Sequence, residues 1–397
     1  MKSVEVAIIG AGVSGLYAAS LLQQSGVSYV VLEGRDVSGG RLISCHTPEN
    51  TLAPPSCQID KYSRIDLGAT WVWPSIQTQL AALMNELGIQ LIPQNEQGEM
   101  LFERSHHVPA SRYPGYASSP SSMRSAQGMR VLTERLQERL PFEAVVTGHR
   151  VTHVAMEDSG IHVQAESRSG NLLEISAQHI FLALPPALAA TIDFNPPLPE
   201  VLRNEWANTG TWMAPHAKYV AVYNTAFWLK EGLSGEARSG VGPMVEIHDA
   251  SVPDGVNALF GFIGIPAKSR WTTSEDNLKA LCRAQMVRLF GPAAANPVAE
   301  YFKDWAADPY TATEFDLSTQ AGHFVPPSSP TEGVWQTRLH GIASEWSPMF
   351  PGYLAGAVDA ASEGVRLYRL NDTKSDDMQN LIDTQPVFAN DIKGECR

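Results

Sequence analysis

Gly10-Ala11-Gly12-Val13-Ser14-Gly15 places three glycines at the spacing GxGxxG near the start of the chain. Glycines so spaced let backbone amides approach a phosphate group closely, and an acid about 20 residues further on accepts hydrogen bonds from a ribose. Glu33 stands near that distance. A second glycine group, Gly39-Gly40-Arg41-Leu42, sets bare backbone beside a guanidinium. Far downstream, Lys218 lies in Ala217-Lys218-Tyr219-Val220-Ala221-Val222-Tyr223, and strand alternation puts it on one face with Val220 and Val222. Burying an ammonium on an apolar face is costly. Lys218 is therefore either a working group or an edge residue whose stem reaches solvent. Lys303-Asp304-Trp305 and Ala343-Ser344-Glu345 add polar groups beside aromatic and small residues, and Pro351-Gly352-Tyr353-Leu354-Ala355-Gly356-Ala357 follows.

The glycine turn has the flanking elements it needs. Residues 4–9 read as a buried parallel strand, 16–24 as a helix stopped by Gly26, and 27–32 as a second strand ending at Glu33. Strand, glycine turn, helix, strand and acid predict a Rossmann-like dinucleotide site, with a pyrophosphate on the helix N-terminus. The motif alone does not separate NAD from FAD. Residues 78–88 form a predicted amphipathic helix with Leu80, Leu83, Met84 and Leu87 in the core, and 132–140 another helix. Residues 150–154 and 160–163 read as a hairpin, and 180–184 as a buried strand closed by Pro185-Pro186. A last helix is expected from about Leu354 to Tyr368. Residues 102–127, with Pro109, Pro114 and Pro120 among serines, read as loop.

A length of 397 residues is two to three times the ~150 of an ordinary domain. With 44% hydrophobic and 18% charged residues, a folded core is expected and disorder excluded. The formal net charge of −13 argues against nucleic acid or an anionic membrane as partner, since both need a basic footprint. Cys45, Cys57, Cys282 and Cys396 form no CxxC and read as reduced thiols. The eleven histidines show no HExxH, His106-His107 reads as a solvated pair, and no GxSxG is present, so neither a metal nor a serine nucleophile is expected. No stretch of about 20 apolar residues suits a membrane span. The apolar start is interrupted by Gly10, Gly12 and Gly15 and lacks a cleavage site, so it reads as structure rather than leader.

Taken in order, these segments resemble the flavin-containing amine oxidase superfamily of monoamine and polyamine oxidases, from about Val4 to about Tyr368. Gly39-Gly40-Arg41, Asp66-Leu67-Gly68-Ala69-Thr70-Trp71-Val72, Ile180-Phe181-Leu182-Ala183-Leu184-Pro185-Pro186, Asn195-Pro196-Pro197-Leu198-Pro199 and the segment around Glu345 and Tyr353 carry the resemblance. It implies an α/β fold, with a Rossmann-like FAD-binding domain of the GR2 type and an interleaved α+β substrate domain on a mixed or antiparallel sheet. The FAD domain is expected from 1–75, 128–200 and 330–370, the substrate domain from 76–127 and 201–329, and a polar tail from 371–397. Bound FAD is expected against Gly10, Ala11, Gly12, Ser14, Gly15, Glu33, Gly34, Arg35, Gly40, Arg41, Leu42, Gly68, Ala69, Thr70, Trp71, Val151, Leu184, Trp305, Ser344, Glu345, Tyr353, Leu354 and Ala357.

The resemblance also assigns roles. Lys218 holds a water at flavin N5, Trp305 stacks near the ring, and Tyr353 is one wall of an aromatic cage; these are the candidate catalytic residues. Val151 meets the adenine, and Glu345 accepts a hydrogen bond from the ribityl chain. Where many relatives carry Gly-Gly-Cys-Tyr, residues 311–327 contain no cysteine, so FAD is expected to be non-covalent. The other cage wall stays open among Phe315, His323 and Phe324. Ala343 and Ala355 replace a family Gly and Glu. The implied reaction is oxidation of a small primary or secondary amine to an imine, with O2 reduced to H2O2. A desaturase or dehydrogenase using another acceptor, and a degenerate FAD-binding scaffold, are the alternatives. Between Leu91 and Gly128 the long helical substrate region of larger relatives is reduced. The tail lacks the apolar anchor of outer-mitochondrial relatives, so a soluble cytoplasmic protein is expected, with an amine and O2 as its partners and a homodimer left open.

Overall fold

Every residue of strand β1 (Val6–Ile9) is buried, and its alternation serves two cores at once. Val6 and Ile8 join the core around helix α1 (Val13–Gln24), while Ala7 and Ile9 join the core on the opposite face. Strand β2 (Tyr29–Leu32) pairs parallel with β1 and divides its residues the same way. A parallel strand covered on both faces has no polar side, which is why these stretches read as unbroken apolar runs. This computed structural model describes residues 2–47, 64–115, 117–317 and 324–383, with side chains as far as 371.

The parallel sheet runs Val145–Val146, β2, β1, His179–Leu182, Leu339–Gly341. On the face of α1, Leu132 and Leu136 pack with Leu80, Leu83 and Met84 and with Val358, Ala361 and Val365 of helix α2 (Leu354–Asp383). The other face meets a mixed five-stranded sheet built on the hairpin His149–Glu157 and Gly160–Ser167, with Trp206, Trp335 and Trp346 filling the layer between. The α/β Rossmann-like class expected from the sequence is the class observed.

A third sheet has seven strands. Its order is Ala299–Asp304, β3 (Ala217–Tyr223), Asn257–Ile263, Met244–Asp249, Leu233–Ser239, Glu99–Glu103, Ser111–Pro114. The Leu233–Ser239 and Glu99–Glu103 pair is parallel and the other pairs are antiparallel. Tyr219, Ala221 and Tyr223 of β3 pack with Cys282, Met286 and Phe290 of the Glu275–Phe290 helix. Val220 and Val222 pack on the opposite side with Ile65, Leu67 and Phe260. Lys218 sits in a strand bonded to a neighbour on each side, so the edge-lysine reading is overturned.

Two further expectations change. Residues 102–127 are not loop throughout: Ser111–Pro114 pairs with Glu99–Glu103 at the sheet edge, and Met123–Ser125 pairs with Leu91–Pro93. Proline is tolerated on an edge strand, where its missing N–H breaks no internal ladder. Helix α2 continues past Tyr368 to Asp383, into residues expected to be tail. Cys45 and Cys282 are free, and burial raises both thiols, Cys282 to about 12. Cys57 and Cys396 lie outside the described residues. Among the described residues, no helix is long and apolar enough to cross a membrane, and no three His, Cys, Asp or Glu side chains gather as metal ligands do.

Candidate active site

A cavity of about 490 Å³ extends from the glycine turn to β3. Its walls bring together Gly10, Gly12, Ser14, Glu33, Gly34, Arg35, Gly40, Arg41 and Leu42 with Gly68, Ala69, Thr70 and Trp71. Val151, Leu184, Lys218, Trp305, Ser344, Tyr353, Leu354 and Ala357 complete the expected set. Three expected contact residues, Ala11, Gly15 and Glu345, are not in the wall. Ala11 turns its N–H to Glu33 Oε2 at 2.8 Å. A Cβ on Gly15 would stand 1.9 Å from the Gly10 carbonyl oxygen, so this glycine is required by contact between helix and turn.

Gly12 behaves differently. A Cβ there would meet no described atom nearer than Gly40 Cα at 3.9 Å. Packing within the protein therefore does not demand glycine at this position, and a side chain would only fill the cavity where α1 begins. No side chain caps α1, which leaves its first amides available to an anion. Both features fit a dinucleotide diphosphate. Ser14, by contrast, donates its hydroxyl to Ile342 O.

The acid at the end of β2 is fixed in place. Glu33 accepts from Ala11 N through Oε2 and from Arg35 N through Oε1, each at 2.8 Å. A carboxylate has about four acceptor sites, so capacity remains for ribose hydroxyls. Arg35 bonds Asp308 Oδ1 at 2.7 Å and Thr311 Oγ1 at 3.1 Å, with its guanidinium 5.1 Å from the Tyr310 ring centre. Burial alone would raise the Asp308 carboxyl; the Lys303 hydrogen bond and the Arg35 charge hold it below the usual range.

Arg41 explains where Glu345 went. Its Nη1 and Nη2 donate to Glu345 Oε1 and Oε2 at 2.5 and 3.1 Å, and Nη2 also reaches Ser344 Oγ at 3.1 Å. The Glu345 side chain is 3% exposed and that of Arg41 30%. Burial pushes the Glu345 carboxyl up, but the charge and hydrogen bonds of Arg41 prevail and hold it low. The guanidinium, not the carboxylate, forms the cavity wall.

At the other end, Lys218 is 2% exposed. Its Nζ donates to Thr70 Oγ1 at 2.6 Å and to Gly68 O at 3.3 Å, and lies 4.1 Å from the Phe260 ring centre. Burial lowers it to about 7; Asp66 opposes this and Arg124 adds to it. An amine poised near neutrality can give or take a proton. Trp305 is buried, with Nε1 donating to Leu67 O at 3.0 Å and the Lys303 ammonium 4.7 Å from its ring.

Of the candidates for the other cage wall, neither Phe315 nor Phe324 is among the cavity-lining residues. Phe324 is 59% exposed and lies by Val201, Asn204 and Asn208; His323 lies outside the described residues. Among the described residues, the Trp212 ring packs against Tyr353, with centres 4.6 Å apart and planes at 44°. Trp73 meets Tyr353 edge-on at 6.1 Å. Sequence reasoning missed Trp212, Trp73, Phe262, His216 and Glu246, all of which line the cavity. Trp73 was within reach, two residues after Trp71. Phe262 pairs across strands with Lys218, and Glu246 pairs with Phe262, a relation visible only once register is known. Glu246 bonds His248 Nε2 at 2.7 Å and Arg238 Nη2 at 3.0 Å; burial opposes its ionisation, but these partners hold it below the usual carboxylate range.

Comparison with known proteins agrees with this geometry. The family model for flavin containing amine oxidoreductase matches residues 118–366, and that for an NAD(P)-binding Rossmann-like domain matches residues 8–87. The flavin-containing amine oxidase of Oncorhynchus mykiss is 24% identical over 475 aligned positions, covering 92% of this chain and 85% of that protein. Flavin-containing amine oxidase B of Sus scrofa is 25% identical and covers 91% of this chain and 85% of its own. Among solved structures, a double mutant of putrescine oxidase superposes with a TM-score of 0.74 at 21% identity, covering 92% of this chain and 99% of that one. Cyclohexylamine oxidase from Brevibacterium oxydans gives a TM-score of 0.74 at 19% identity, covering 93% and 99%. At these identities the two structures speak for the fold.

Proposed function

Since the chain belongs to the flavin-containing amine oxidoreductase family and is thereby an FAD enzyme, we propose that it oxidises a small primary or secondary amine to an imine and passes the electrons to O2, giving H2O2. The observation that carries this reading is the aromatic wall that Trp212 and Tyr353, packed against each other, present to the same cavity as Lys218. Bound FAD supplies the acceptor for the hydride equivalent, and the protein supplies binding, orientation and proton control. Ring faces hold an ammonium on entry, and the apolar walls then favour its neutral form, from which oxidation proceeds. Lys218 Nζ is the group we assign to proton handling. Arg41 would hold the diphosphate with the α1 amides, Glu33 the ribose, and Val151 and Leu184 the adenine end. Glu345 would act through Arg41.

Cys45 and Cys282 do not line the cavity, which supports non-covalent FAD. We assign residues 1–75, 128–200 and 330–370 to the FAD part and 76–127 and 201–329 to the substrate part. In support, the parallel sheet draws only on the first set and the seven-stranded sheet only on the second. The net charge of −13 favours a soluble enzyme, for which we propose a cytoplasmic location.

A second reading narrows the substrate. Glu246 is ionised, lines the cavity and stands two strands from Lys218, about 10 Å at ordinary strand spacing. That favours an amine with a second cationic group, as in the putrescine of the putrescine oxidase neighbour, over a cyclic monoamine.

Peroxide formation from a panel of monoamines and diamines in air tests the reading. Amine-dependent peroxide that catalase removes is expected. Fast flavin reduction with negligible peroxide would move the protein to the dehydrogenase alternative.

A further inference from the structure

The chain enters the cavity between the Glu200–Ala207 helix and β3, and four of the six residues 211–216 line it: Trp212, Met213, Ala214 and His216. Met213 has φ 65°, a left-handed conformation that a methionine keeps only when its surroundings impose it. Inside the turn, Ala214 N bonds Thr211 O at 3.0 Å and His216 N bonds Met213 O at 3.1 Å. At its exit, Arg270 Nη2 holds Pro215 O at 2.9 Å. At its entry stands Asp316, 2% exposed. Asp316 Oδ1 accepts from Thr211 N at 2.6 Å, and Oδ2 accepts from Thr313 N and Oγ1 at 2.8 and 2.9 Å.

The segment expected to supply an aromatic wall thus supplies a carboxylate next to Phe315, bound to the residue before Trp212. We propose that Asp316 is a positioning residue for amine oxidation, whose carboxylate fixes Thr211 and so holds the Trp212 ring against Tyr353. This rests on the amine binding against the wall that Trp212 and Tyr353 form in the cavity. Hydrogen bonds from backbone N–H to a buried carboxylate are strong and directional, so they set the loop without touching the amine. A carboxylate that merely stabilised the fold would change melting temperature and leave amine affinity alone.

A double-mutant cycle separates the two, with the amine Kd read from anaerobic flavin reduction of the FAD-loaded enzyme. Asp316→Ala is expected to raise Kd about tenfold in the wild-type background and less than about twofold in a Trp212→Ala background, because the interaction it serves is already gone. Asp316 is near enough to Arg41 to act on its charge, so flavin content is measured on every variant and is expected to stay stoichiometric. Where Asp316→Ala fails to fold, Asp316→Asn is used; it keeps an acceptor for Thr211 N and loses the acceptor pair for Thr313, with a smaller change of the same pattern. The same factor in both backgrounds, or no change in Kd, overturns the role of Asp316. If Trp212→Ala itself leaves Kd unchanged, the assignment of the amine site to this aromatic wall fails and the proposal fails with it.

Discussion

Lys218 and Glu246 stand on one sheet two strands apart, with Phe262 in register between them. The row places a near-neutral amine and an ionised carboxylate on the wall of one cavity. A substrate that spans it needs one end free of charge for oxidation and another that keeps its charge. Glu246→Gln is expected to lower kcat/KM for diamines by about 10- to 100-fold, the worth of one charge-assisted hydrogen bond, and to leave monoamines within about twofold. Equal losses for both substrate types would remove Glu246 from recognition.

Lys218 makes a prediction in stability as well as in catalysis. Unfolded, its ammonium keeps its proton to about pH 10.4; folded, it loses it near 7. Between these values the unfolded chain binds more protons, so stability rises with pH. Below pH 7 the cost of burying the charge is carried in full. Lys218→Met should therefore stabilise the FAD-loaded protein by about 1–3 kcal/mol at acidic pH, with the gain shrinking towards pH 10. Denaturant unfolding across that range reads it. The same variant should retain FAD and slow one flavin half-reaction; two unchanged half-reactions would exclude Lys218 from the chemistry.

Much of this site is legible without coordinates because backbone proximity to a cofactor leaves glycines and fixed spacings behind. Gly10, Gly12, Glu33 and Arg41 follow one another within a few dozen residues, and local pattern finds them. Trp212 and Glu246 are set by packing between remote segments. Trp212 depends on a turn held by Asp316, over a hundred positions away, and Glu246 on the register of two strand pairs. Nothing in the local sequence of Glu345 announces that it pairs with the Arg41 guanidinium, about 300 positions earlier. The strand at Ser111–Pro114 was hidden by the serine and proline at its ends, which an exposed edge tolerates.

The Arg41–Glu345 pair predicts coupling between flavin binding and acid stability. The Glu345 carboxyl is held low in the folded protein, so its contribution is present above the unfolded value of about 4.3 and is lost as pH falls through the folded one. Glu345→Gln leaves Arg41 without its counter-charge; with Arg41 partly exposed, a loss of about 2 kcal/mol is expected near neutrality, together with weaker FAD retention. The difference from wild type should narrow as pH falls below the unfolded value and vanish below the folded one. A constant difference down to lower pH would show that the ion pair is not its source.

Acid precipitation of the yellow holoprotein should release all of its flavin to the supernatant. Flavin that stays with the pellet after washing would contradict non-covalent binding.

The central claim, that this cavity oxidises amines, is tested most directly by mixing the purified FAD enzyme with a panel of small amines and diamines in the absence of oxygen and following the visible flavin absorbance. Bleaching by at least one amine, saturable in its concentration and reversed by air, is the predicted result. A flavin that no amine in the panel reduces would contradict the account.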